Sequence, residues 1–133
     1  MSFDLALNNP QDAAEAGFTF EVVTPAGDKT GIKITVRGEH SATVRNHGRK
    51  VYQEMKMKEQ QAKRRGKEYE LDLDEAEEMS ADAAVVRTVK WEGVIENGKE
   101  TKFSKEEAKR IYLAHSWIKD QVIENSNNVF NFQ

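Results

Sequence analysis

Apolar positions along this chain recur with two different periods, and the change from one to the other divides it. Between residues 17 and 38 the period is two: Phe18, Phe20 and Val22 alternate with Thr19, Glu21 and Val23, then Ile32, Ile34 and Val36 with Lys33, Thr35 and Arg37. Successive side chains of a strand point to opposite faces, so this is the pattern of two half-buried strands. Between them Pro25 fixes φ and Gly27 can supply a positive φ, as a connecting loop requires. A β-hairpin over 17–38 is predicted, ended by Gly38.

Beyond it the period becomes helical. Residues 41–66 predict a long polar helix with a thin apolar stripe, Val44, Val51, Met55 and Ala62, flanked by Tyr52 and Met57 and stopped by Gly66. Over 72–90, Ala76, Met79, Ala83, Val86 and Val89 or Lys90 recur at steps of three and four. Asp72 or Asp74 can cap that helix, and acids fill its first turns, where the helix dipole favours them. Asn97-Gly98 is a tight-turn pair. It predicts a short two-stranded excursion that folds Ile95 and Phe103 back toward the core. Ser104 and Glu107 have capping-box spacing and open a helix over about 105–125. Its apolar face is Ala108, Ile111, Ala114 or His115, Ile118 and Val122, widened by Leu113 and Trp117.

The expected fold is α+β and mostly helical: an N-terminal hairpin, then three helices, with a short turn excursion between the last two. Residues 17–125 are expected to form one small domain. Residues 1–16, polar and Ala-rich with only Phe3, Leu5 and Leu7 as large apolar side chains, are expected to be a flexible arm. Residues 126–133 are expected to be a tail.

Composition narrows the function. Hydrophobic residues make up 38% and charged residues 32%, which predicts a modest core ringed by polar helices. The absence of cysteine excludes a disulfide framework, a zinc–thiolate site and a thiol nucleophile. No apolar run approaches the roughly 18 residues of a membrane span. The first residues have neither a basic segment nor a long apolar one, so no signal peptide is expected, and an intracellular protein is.

Charge is segregated. Nine basic residues lie between Arg45 and Lys67 against Glu54 and Glu59, a balance of +7, and eight acids with no Lys or Arg follow from Glu68 to Asp82. The basic helix could lie along a phosphate backbone. Two features weigh against nucleic acid as the partner: the adjoining acids can neutralise the helix, and only Tyr52 and Tyr69 interleave aromatically. A charged antiparallel pair, 41–66 against 72–90, is the simpler expectation.

Catalytic constellations are not found. His40, His47 and His115 lack metal-ligand spacing. There is no nucleophile elbow and no phosphate-binding glycine loop. The acidic stretch lacks the ligand order of a calcium loop. His115 is expected to be a packed or rim side chain, and Trp91 a core anchor. Trp117 stays open between core and interface. No catalytic residue, cofactor or metal is expected, and the chain reads as a binding protein rather than an enzyme.

Several segments resemble, in order, the tail assembly chaperones of long-tailed bacteriophages and prophages. The hairpin Phe18–Gly38, with its Pro-x-Gly turn and closing glycine, leads through Glu39–Arg45 into a basic helix. Val85–Lys99 is similar to their Ala/Val-rich helix ending in Trp before a Gly turn. Phe103–Ala108 is similar to their Phe-Ser helix start, Ser116–Val122 to their Trp-Ile-x-x-Gln-Val segment, and Asn128–Phe132 to their Asn- and Phe-rich end. The chain departs from the pattern at His40, where an acidic residue is usual.

The resemblance implies a protein of the host cytoplasm, absent from the finished virion. It would bind the long helical tape-measure protein, keep it soluble during tail morphogenesis and recruit tail-tube subunits. A homo-oligomer is compatible with it; membranes and nucleic acid are not among the expected partners. Ile111, Trp117, Ile118, Val122, Phe130 and Phe132 are the candidate partner-binding residues. The alternatives are a minor tail or tail-completion protein and, further off, a nucleic-acid-binding regulator using the basic helix.

Overall fold

A computed structural model describes residues 2–7 and 9–133. The order of elements is α1 (Pro10–Ala16), β1 (Phe18–Val23), β2 (Lys29–Val36), α2 (Ala42–Arg64), α3 (Leu73–Arg87), β3 (Thr88–Glu92), β4 (Ile95–Glu96), β5 (Lys99–Glu100), α4 (Lys105–Ala114) and α5 (Ser116–Asn127). A short 3-10 turn, Val129–Phe132, follows. The fold is α+β and mostly helical, with the expected hairpin ahead of the long helices.

The hairpin becomes a three-stranded antiparallel sheet in the order β1-β2-β3. Ile34 lies opposite Phe20 on one side and Trp91 on the other. Val22, Ile34 and Val36 are fully buried, and helices α3, α4 and α5 supply Ala81, Ala84, Ala108, Ile111, Tyr112, Ile118 and Val122 to the same core.

The third strand corrects the helix expected over 72–90. That helix stops at Arg87, because Thr88 is extended. Two partners hold the chain there: Arg37 N–H donates to Arg87 O (2.6 Å), and the Arg37 guanidinium donates to Val86 O (3.0 Å) and Thr88 O (3.2 Å). Carbonyls that a helix end leaves without partners are thereby satisfied by β2 and the residue after it. Val89 fits both periods, and the free edge of β2 decides between them.

The helix expected over 105–125 is two helices, broken at His115 (φ −129°, ψ 76°). No Pro or Gly lies in the segment, so the break is tertiary. The first half packs on α3, and the second packs on α3 and also reaches β1 and β2. There the Gln121 amide completes the end of β1, accepting from Val23 N–H (2.9 Å) and donating to Val23 O (2.8 Å). Ala114 and His115, expected on the apolar face, are exposed.

Local signals hold at several positions. Asp72 caps α3 through Glu75 N–H (2.8 Å), and Ser104 caps α4 through Glu107 N–H (3.1 Å). The reciprocal half of the box is replaced, because the Glu107 carboxylate takes the Arg110 guanidinium. Asn97 and Gly98 both have positive φ and join β4 to β5. That excursion buries Val94 and not Ile95, which is exposed. Phe103 does fold back, edge-on to Trp91 at 5.2 Å between ring centres, and Trp91 is the core anchor expected, its indole N–H donating to Thr101 O.

Candidate interaction surface

Both ends of the chain are tied to the domain at one point, the residues that follow β2. Gly38 N–H donates to Ala14 O (2.8 Å), Glu39 N–H donates to Ser126 O (3.0 Å), and the Ser126 hydroxyl donates to Arg37 O (2.6 Å). A β-carbon on Gly38 would stand 2.9 Å from the Ala14 β-carbon and 3.1 Å from the Phe132 ring. Only glycine lets α1 and the 3-10 turn close on the same spot. The Glu15 carboxylate strengthens the tie, accepting from the Thr43 hydroxyl and pairing with Arg37 Nε at 3.3 Å. The Thr43 hydrogen bond, aided by Arg37, holds its pKa below the ordinary carboxylate value.

Two expectations are corrected here. Of the arm expected over 1–16, residues 10–16 are helical, capped by Asn9 with Pro10 in the first turn, and Ala14 is buried. Of the tail expected over 126–133, Ser126 and Phe132 are buried, the latter edge-on to Phe18. Asn128 caps the 3-10 turn by accepting from Phe130 N–H.

Where the two ends meet, they leave an open apolar groove of about 760 Å³, lined by Phe3, Leu7, Pro10, Ala13, Val129 and Phe132 among others. Asp12, Glu39, His40 and Gln133 give it a polar rim. Two of its lining side chains face solvent, Phe3 at 74% exposed and Leu7 at 82%, and Leu5 (78%) and Phe130 (75%) are exposed in the same two segments. Soluble domains seldom gather large apolar side chains at the surface without a use for them. An apolar floor with polar side chains at its edge suits a partner's apolar face.

The six residues singled out from the sequence are divided by the structure. Ile111, Ile118 and Val122 are buried in the core and do not line the groove; Phe132 is buried too, and its ring is part of the groove wall. Their helical spacing reports burial, and burial against the protein's own sheet has the same period as burial against a partner. Trp117 is half-buried and Phe130 exposed; only these two remain accessible. The residues missed, Phe3, Leu5 and Leu7, did carry a signal, being the only large apolar side chains in an otherwise polar segment.

Among the described residues no group of three or more His, Asp or Glu side chains is placed to hold a metal ion, and no helix is long and apolar enough to cross a membrane. His115 is exposed at the joint between α4 and α5, with Trp117 edge-on at 6.4 Å. Tyr112 is buried, and burial raises its pKa above the ordinary phenol value. Its hydroxyl pairs with Thr88 inside the core. Comparison of the chain with protein-family models, curated proteins and solved structures finds no match.

Proposed function

We propose that this chain is a tail assembly chaperone of a long-tailed bacteriophage or prophage, a non-catalytic protein acting in the host cytoplasm. Its client is the tape-measure protein, held soluble through the apolar groove and the exposed side chains around it; tail-tube subunits are a second candidate partner. Two independent lines support this reading. One is the ordered resemblance along the chain, from the hairpin to the Asn- and Phe-rich end. The other, which carries the functional step, is the exposure of Phe3 and Leu7 along one groove, with Leu5 and Phe130 exposed in the same two segments. A long helical client presents repeated apolar faces, and a groove receives such a face through a few anchoring side chains. The charged remainder of the surface keeps the complex dissolved.

A minor tail or tail-completion protein with the same surface would stay in the particle. Mass spectrometry of purified virions beside infected-cell lysate separates the two. The chaperone reading expects the chain in the lysate and not in the virion. Its presence in virions at tail-component stoichiometry would overturn the reading in favour of a structural role.

A further inference from the structure

Helix α2 carries a second surface that the client groove does not use. The charged helix pair expected from the sequence does form. The two helices pack together, and Val51 and Met55 of α2 share a cleft with Met79 of α3, lined also by His47, Lys58 and Asp82. The neutralisation expected with it does not. Glu78 and Asp82 of α3 turn to Lys109 of α4, at 3.9 and 3.2 Å. Glu75 takes the Tyr69 hydroxyl. Among the described residues, no basic side chain between Arg45 and Lys67 makes an ion pair with a carboxylate, and all nine are exposed.

Five exposed side chains fall on one line. Arg45, Arg49, Tyr52, Lys56 and Lys63 recur at steps of four, three, four and seven, which keeps them on one face of a helix. The row that faces the domain is Val44, Val51, Met55 and Ala62. Four members of the line each follow a member of that row by one residue, and are therefore turned from it by about 100°. From Arg45 to Lys63 the line runs about 27 Å at 1.5 Å per residue. Tyr52 stands within it, 60% exposed, with Lys56 Nζ 5.1 Å from its ring centre. Glu59 is the one acid on this line, three residues after Lys56 and four before Lys63, so the line holds four cations and one anion; Gln53 and Gln60 are neutral neighbours.

We infer that this face of α2 binds the phosphate backbone of a nucleic acid without regard to sequence. Among the described residues the cations form no ion pair with a carboxylate, although Arg49 donates to Asn46 and Lys56 lies over Tyr52, and they are spread along a straight line. A duplex strand offers a phosphate about every 3.4 Å of its axis, so the line spans several of them. The exposed tyrosine adds a stacking surface for an unpaired base. Four or so phosphate contacts give weak, salt-sensitive binding, and the net charge of −3 confines it to this face.

The test is fluorescence anisotropy of the full chain with three labelled or competing probes: a 20-base-pair DNA duplex, a 20-nucleotide DNA strand and a 20-nucleotide RNA strand. Binding is expected at 25 mM salt, with log affinity falling against log salt at a slope of about −3 to −4. The triple variant R49E/K56E/K63E, changed only at exposed positions, is expected to bind at least tenfold more weakly. The reversal of two cations elsewhere, K33E/K99E, is expected to bind as the parent does. Tighter binding of the single strands, lost in Tyr52→Ala, would assign the site to unpaired bases; equal binding of all three would assign it to the backbone alone. Circular dichroism checks that each variant is folded. No binding at 25 mM salt, or binding that the triple variant keeps, overturns the inference. So does polyglutamate of equal charge displacing the probes as well as unlabelled DNA does, which would point to an acidic protein instead.

Discussion

The Tyr112 hydroxyl donates its hydrogen bond to Thr88 and does not accept one from it. The two oxygens are 2.7 Å apart, and Thr88 Oγ1 also lies 2.8 Å from Ala84 O. A carbonyl oxygen only accepts, so the single Thr88 proton is used there and Tyr112 must supply the other. This buried chain joins β3, the last turn of α3 and α4.

The direction makes the two single substitutions unequal. Tyr112→Phe leaves Thr88 bonded to Ala84 and should cost about 1 kcal/mol. Thr88→Val strands a buried phenol hydroxyl and should cost about 2–3 kcal/mol. The double variant should cost less than the sum, since the phenol hydroxyl that Thr88→Val strands is then gone and only Ala84 O has lost its donor. Urea unfolding of the four proteins measures all three terms; equal single costs would contradict the assigned direction.

Gly93 is the close approach between the excursion and the hairpin. Its φ is +81°, and a β-carbon there would stand 2.5 Å from Gly31 O. Gly27, at φ +93°, has open space around it. Gly27→Ala should cost about 1 kcal/mol of backbone strain alone. Gly93→Ala adds a clash with backbone and should cost at least about 2 kcal/mol. Thermal or urea unfolding of the pair separates strain from collision.

Glu96 gives the fold an acid-sensitive contact. Hydrogen bonds from Arg110 and from the Thr101 hydroxyl lower its pKa to about 2, against 4.5 for the free group. A depressed folded-state pKa means that the unfolded chain binds the proton more readily as pH falls. The contribution is therefore complete above about pH 4.5 and is lost as pH falls toward 2. The melting temperature of the parent should exceed that of Glu96→Gln at pH 6, and the difference should shrink steadily below pH 4.5. A difference that stays constant down to pH 2 would contradict the assignment.

Much of this architecture was legible in residue order, because its signals are local. Alternation gives the hairpin, Ser104 and Asp72 give two helix starts, and Asn97-Gly98 gives a turn. What escaped depends on distant partners. Thr88–Glu92 is a strand only because β2 offers an edge and Arg37 occupies the carbonyls of the preceding turn. The break at His115 exists because α4 and α5 pack against different neighbours. Residue order did not separate Phe130, which is exposed, from Phe132, its neighbour but one, which is buried against the groove. Both are phenylalanines in a polar segment, and only the contact with Gly38 and Phe18 buries the second.

That contrast yields a prediction of its own. Phe132→Ala empties a packed site and should cost about 3 kcal/mol of stability. Phe130→Ser lies at the surface and should change stability by less than about 0.5 kcal/mol. If Phe130→Ser unfolds the protein as readily as Phe132→Ala, the ring is structural and not part of an interaction surface.

The central claim is that the exposed apolar side chains at the two ends hold a helical client in solution. The most direct measurement is the soluble fraction of the proposed client, a phage tape-measure protein, after co-expression with the parent, with Leu5→Ser/Phe130→Ser, or with neither. The parent should move most of the client into the supernatant and co-purify with it, and the double variant, equally folded, should leave the client in the pellet. A client that is as soluble with the double variant as with the parent would contradict the claim.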